Sequence, residues 1–152
     1  VSFLQVVTIA NPVAGAEFTI KAPGQGLWRV VSVAFTFTAS AAAANRRVAL
    51  LADDQTDTWF AAASSVDLTA GLTTRIGAYA GATASGVVGG AVSIPLPHNG
   101  LVLMPGYRLR SSAFNLDVGD QYSNVRAQVQ EYPYGPDFEW LPTVPVQIAE
   151  ME

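Results

Sequence analysis

A two-residue rhythm of apolar and lighter side chains runs through almost the whole chain, and it restricts the fold class more than any other feature. In Trp28–Thr38, Val31, Val33, Phe35 and Phe37 fall on one side, and Val30, Ser32, Ala34, Thr36 and Thr38 on the other. Such alternation predicts a strand with a core face and a lighter face. Comparable runs are Phe3–Ala10, Ala16–Ala22, Arg47–Ala52, Thr58–Ala63, Thr73–Ala80, Ala91–Leu96, Leu101–Met104, Tyr107–Asn115 and Tyr122–Tyr132. Turn residues divide them, among them Asn11-Pro12, Pro23-Gly24, Asp53-Asp54, Gly71, Gly89-Gly90, Asn99-Gly100, Pro105-Gly106 and Gly119-Asp120. About eight to ten short strands without an amphipathic helix predict an all-β fold, an antiparallel β-sandwich or jelly roll.

Three stretches break the rhythm. Ala39–Asn45 has helical propensity but is too short to sustain a helix alone, and is read as a loop with room for one helical turn. Gly81–Gly90 is small and uncharged, and is read as a long surface contact loop. After Tyr132, prolines at 133, 136, 142 and 145 forbid a helix or a central strand. Two regions follow: a β-sandwich domain over 1–132 and an extended, proline-rich, acidic arm over 133–152.

Charge narrows the function. The 152 residues carry a net charge of −4, yet residues 1–132 balance, and the imbalance lies entirely in Asp137, Glu139, Glu150 and Glu152. A neutral body with an acidic arm is a poor nucleic-acid partner, because phosphate binding is driven by clustered bases. No run reaches the roughly 18 apolar residues of a membrane span, and the N-terminus lacks a basic segment before its apolar run, so the chain reads as soluble. With no cysteine and one histidine, thiol chemistry and cysteine-held metals are excluded, and no cofactor is expected.

Candidate chemical sites are few. Asp53-Asp54-Gln55-Thr56-Asp57 could offer oxygen ligands to calcium but lacks the glycine and distal glutamate of an EF-hand, and a hairpin turn explains it better. Three acids on one turn do not make the facing carboxylates of a glycosidase. His98, between Pro97 and Asn99, reads as a solvated loop residue, and no Gly-x-Ser-x-Gly elbow accompanies it. Trp28 and Trp59 lie in strands and are expected in the core, whereas Trp140 looks like an anchor in the arm.

The arm carries the strongest functional signal. Tyr134, Phe138, Trp140, Leu141, Val144, Val146 and Ile148 are too apolar to be left in water, and Val144, Val146 and Ile148 alternate as a strand added to a sheet edge would. Either the arm returns to its own domain or it crosses to a neighbouring subunit. Seven arginines against one lysine suit an interface as well as they suit a genomic bias. Arg108 and Arg110, on one strand face, are candidates to meet acids of a neighbouring chain. The partner-interface set is thus the seven arm residues with Arg108 and Arg110.

Six short segments add a resemblance: Trp28-Arg29-Val30-Val31-Ser32-Val33, Ala44-Asn45-Arg46-Arg47-Val48, Ala52-Asp53-Asp54, Ile94-Pro95-Leu96-Pro97, Gly106-Tyr107-Arg108-Leu109-Arg110 and Gly119-Asp120-Gln121-Tyr122-Ser123. Over residues 26–132 the chain resembles small virion structural proteins of tailed bacteriophages; the arm is not part of the likeness. The resemblance implies a β-sandwich with no catalytic residues. It implies a capsid decoration or cement protein on the outer surface of the virion, bound to the major capsid protein and to itself as a homotrimer. Tail-fibre, baseplate or adhesin modules that bind host glycans are the alternative. A hydrolase built on Asp53–Asp57 is the least supported class.

Overall fold

A computed structural model describes residues 2–83, 85–88 and 91–133. Among these are eleven strands: β1 (Phe3–Thr8), β2 (Thr19–Lys21), β3 (Leu27–Thr38), β4 (Arg47–Asp53), β5 (Thr58–Ala63), β6 (Thr73–Ala80), β7 (Ser85–Val88), β8 (Ala91–Leu96), β9 (Leu101–Leu103), β10 (Arg108–Phe114) and β11 (Gln121–Tyr132). Ala39–Asn45 forms bends without a helical turn.

Four antiparallel pairs are nested in the chain. β4 pairs with β5 innermost, then β3 with β6, β2 with β10, and β1 with β11 outermost. This is one long two-stranded ribbon. Rolling it up lays β11 against β3 and β10 against β4, which produces two sheets, ordered β1-β11-β3-β6-β8-β7 and β2-β10-β4-β5. A ribbon rolled in this way is a jelly roll, the all-β sandwich that the alternation predicts.

The extra strands come from a detour. β6 pairs with Ser32–Thr38 of β3, and β9 takes over the same side at Trp28–Val30. Between them the chain leaves through β7 and returns as β8, which lies parallel to β6. The sandwich is mostly antiparallel, with β6 and β8 as its parallel pair among the described strands. One expectation is corrected here: Gly81–Gly90 is not all loop, because β8 offers Ser85–Val88 a neighbour to pair with.

The core lies between the sheets, where Phe18, Phe35 and Phe37 surround Tyr122 with ring centroids 5.0 to 5.7 Å apart. Burial lifts the pKa of the Tyr122 phenol. The face assignment within β3 changes halfway. Phe37, Phe35 and Val33 are buried as their alternation predicts, but the next core residues are Val30 and Trp28 rather than Val31. Val31 is an extra residue opposite β11, where the register moves from Gln128↔Ser32 to Val129↔Val30. Such a bulge reverses which side chains face inward beyond it.

Two buried charges tie the loops together. Arg46 and Asp120 are fully buried and joined by Nε donating to Oδ2 at 3.0 Å. Arg46 also donates to the carbonyls of Ala42 and Ala44, while Asp120 accepts from the amides of Ser40 and Asp117. The pair supplies two irregular loops with bonds that a strand would otherwise make. Burial opposes the charged form of Asp120, yet the amides and the guanidinium outweigh it, and its pKa lies below the ordinary value.

Candidate binding surfaces

The outer face of the small sheet holds a charged clamp and a depression. Strand β10 turns Arg108 and Arg110 outward, and β4 ends beside them with Asp53. Arg108 Nε donates to Asp53 Oδ1 and Arg110 Nε to Oδ2, both at 2.7 Å. The Arg108 guanidinium first, with Arg110 and the Gln55 amide, outweighs the cost of burial and holds the Asp53 carboxyl down at about 2. The acid that these arginines meet is therefore one of their own chain. Each arginine side chain remains about a third exposed, at 33% and 34%.

Asp53 also closes the β4–β5 hairpin, accepting from the Gln55 amide at 2.8 Å. Asp54 accepts from the amides of Thr56 and Asp57, which lower its pKa. Asp53–Asp57 is thus the hairpin turn that its composition predicts. Among the described residues no group of three His, Asp or Glu side chains is placed to hold a metal ion.

Further along the same face, Ala49, Ala63 and Ser112 leave a depression of about 710 Å3. Small side chains on three adjacent strands make its floor. Asn45, Arg47, Asp67, Phe114 and Asn115 also line it. Arg47 and Asp67 form an exposed pair at 2.7 Å, and the Asn115 amide donates to the Asn45 carbonyl. The Phe114 ring is 71% exposed. Nothing in the sequence marks this site, since its residues come from four segments and Phe114 looks like an ordinary strand residue.

Trp28 is in the core, but Trp59 is not: it is 47% exposed, with Phe60 and Tyr107 as ring neighbours. Phe60 and Ala62 are the residues of β5 that pack on the core, so the alternation of the strand puts Trp59 on the outer face with Ala61 and Ala63. His98 lies exposed in the turn closed by the Gly100 amide on the Pro97 carbonyl.

At one end of the large sheet β1 has no further strand beside it among the described residues. Leu4 and Val6 of β1 project outward at 60% and 64% exposure, and β1 carries no charge. Of the predicted interface set, Tyr134, Phe138, Trp140, Leu141, Val144, Val146 and Ile148 lie outside the described residues; only Arg108 and Arg110 can be placed.

Comparison of the chain with protein-family models, with curated proteins and with solved structures finds no match. The geometry itself establishes a small all-β protein of two packed sheets.

Proposed function

We propose that this chain is a non-enzymatic structural protein of a bacteriophage virion, a decoration or cement protein that binds the outer surface of the head between copies of the major capsid protein. The observation that carries this reading is the apolar edge at Leu4 and Val6, beside which no strand lies among the described residues, on a strand that lacks the charges or prolines that keep edges apart. The resemblance of residues 26–132 to phage virion proteins supplies the setting. Three carboxylates among the described residues are engaged in holding the fold: Asp53 by two arginines, Asp120 by Arg46, and Glu17 by the Ser111 hydroxyl and the Ala113 amide. A cement protein works by adding contact area between neighbours, and an apolar arm with its backbone partly fixed by proline adds area at a low entropic cost.

Co-sedimentation with undecorated heads of the encoding phage tests this. Saturable binding and greater heat resistance of the heads are expected, both lost on deletion of residues 133–152. Heads that neither bind the full chain nor gain resistance reject the proposal.

The depression beside Phe114 favours a second reading, a tail-fibre or adhesin module for host glycans. An exposed ring beside amides and an Arg–Asp pair suits a sugar's apolar face and hydroxyls. That reading requires host polysaccharide binding that Phe114→Ala abolishes.

A further inference from the structure

Strand β1 has a partner on one side only among the described residues. The Ile9 amide donates to the Val125 carbonyl of the β11 side at 3.1 Å, and the two-residue repeat turns the backbone groups of Phe3, Gln5 and Val7 the same way. The amides and carbonyls of Leu4, Val6 and Thr8 therefore point away from the sheet. Their side chains lie on its outer face, whereas Val7 and Ile9 pack against the core. The pairing with β11 runs without a bulge from Phe3 to Thr8. An edge this regular and uncharged is a template for another strand.

We propose that residues 143–149 of a second copy add to this edge as an antiparallel strand. The inference goes beyond head binding to the self-association that the resemblance implies, and rests on the proposed function only to that extent. Proline sets the parity of the added strand. Pro145 has no N–H and fits an edge only with its backbone turned away from its partner, which turns Val144, Val146 and Ile148 toward it. Pro142 shares the parity of those three, so pairing begins after it. Three residues of the arm then offer three amides and three carbonyls to the same number on β1.

Antiparallel sense follows from the side chains. Bonded residues directly opposite one another share a face, so Val144, Val146 and Ile148 cover Leu4 and Val6. The parallel sense would set Pro145 and Gln147 beside them instead. It is also the sense that the chain's own arm reaches most directly: Glu131 pairs with Phe3, so a chain turning round that end runs along the edge in the direction of β1. A neighbouring copy's arm is free of that constraint.

Cysteine pairing tests the proposal, since the chain has no cysteine of its own and opposed residues in such a ladder lie about 5.5 Å apart, within disulfide reach. Full-length Val6→Cys protein is mixed with Val144→Cys, Val146→Cys, Ile148→Cys or Gln147→Cys protein, oxidised, and weighed without reductant. At least one of the first three should give the covalent heterodimer in roughly tenfold greater yield than Gln147→Cys, whose side chain faces the other way. Equal yields, or no heterodimer, overturn the added strand. A monomer-mass disulfide in a chain carrying Val6→Cys with any of the first three also overturns it, by assigning the arm to its own domain. Head binding by the unmodified protein separates the two readings. Cross-linking without head binding keeps the strand and rejects decoration, and head binding without cross-linking does the reverse.

Discussion

Asp53 stands between Arg108 and Arg110, and much of the behaviour of the small sheet follows from that one carboxylate. Its pKa in the folded chain is about 2, below the ordinary 3.8. A lowered folded value means that the stabilisation is complete above about pH 4 and fades as pH falls toward 2. Urea denaturation should show the wild type losing about 1–2 kcal/mol more than Asp53→Asn between about pH 5 and 2, since the arginines are partly solvated and the full shift is screened. An identical pH dependence in the two proteins would contradict the clamp. Asp120 is a different case, because Arg46 has no access to water. Asp120→Asn should cost roughly 3–5 kcal/mol at neutral pH, as a buried cation is left without its counter-charge. A midpoint shift worth less than about 1 kcal/mol would show that the pair does not hold the loops. Neither pairing was legible in the sequence. Asp53 is 55 residues from Arg108, and Asp120 is 74 from Arg46, so only the rolled ribbon brings each pair together.

Strands were legible because burial on one face writes itself into the sequence with period two. Where the period failed, the cause was always a partner strand. Val31 leaves the core face because β11 counts one residue fewer opposite it. Ser85–Val88 is a strand because β8 lies next to it. The turn into β9 shows how tightly one element is pressed on another. Gly100 has φ of +85°, and a Cβ there would stand 2.8 Å from the Val30 carbonyl oxygen and 2.9 Å from Arg29 Cγ. Gly100→Ala should therefore lift β9 from β3 at a cost of about 1–3 kcal/mol. Faster amide exchange at Leu101–Leu103, with β4 and β5 unchanged, is the expected signature. Uniform loss of protection would mean that β9 is not a separable element.

For the whole molecule, nested pairing sets the pace of folding. Of the four nested pairs only β4 and β5 are joined by a short turn; every outer pair encloses the pairs within it, and Phe3 finds Glu131, 128 residues away. Such separations make closure entropy the main barrier, and refolding should take milliseconds to seconds by stopped-flow fluorescence. Completion within microseconds would not fit this order of pairing. The detour through β7 and β8 has another consequence. Tyr79 stands opposite Ser32 and Leu101 opposite Val30, so joining Ala80 directly to Leu101 would carry one strand past Val31 without a gap. A chain joined in this way would keep all four nested pairs in eight strands, which makes residues 81–100 a separable insert in the topology.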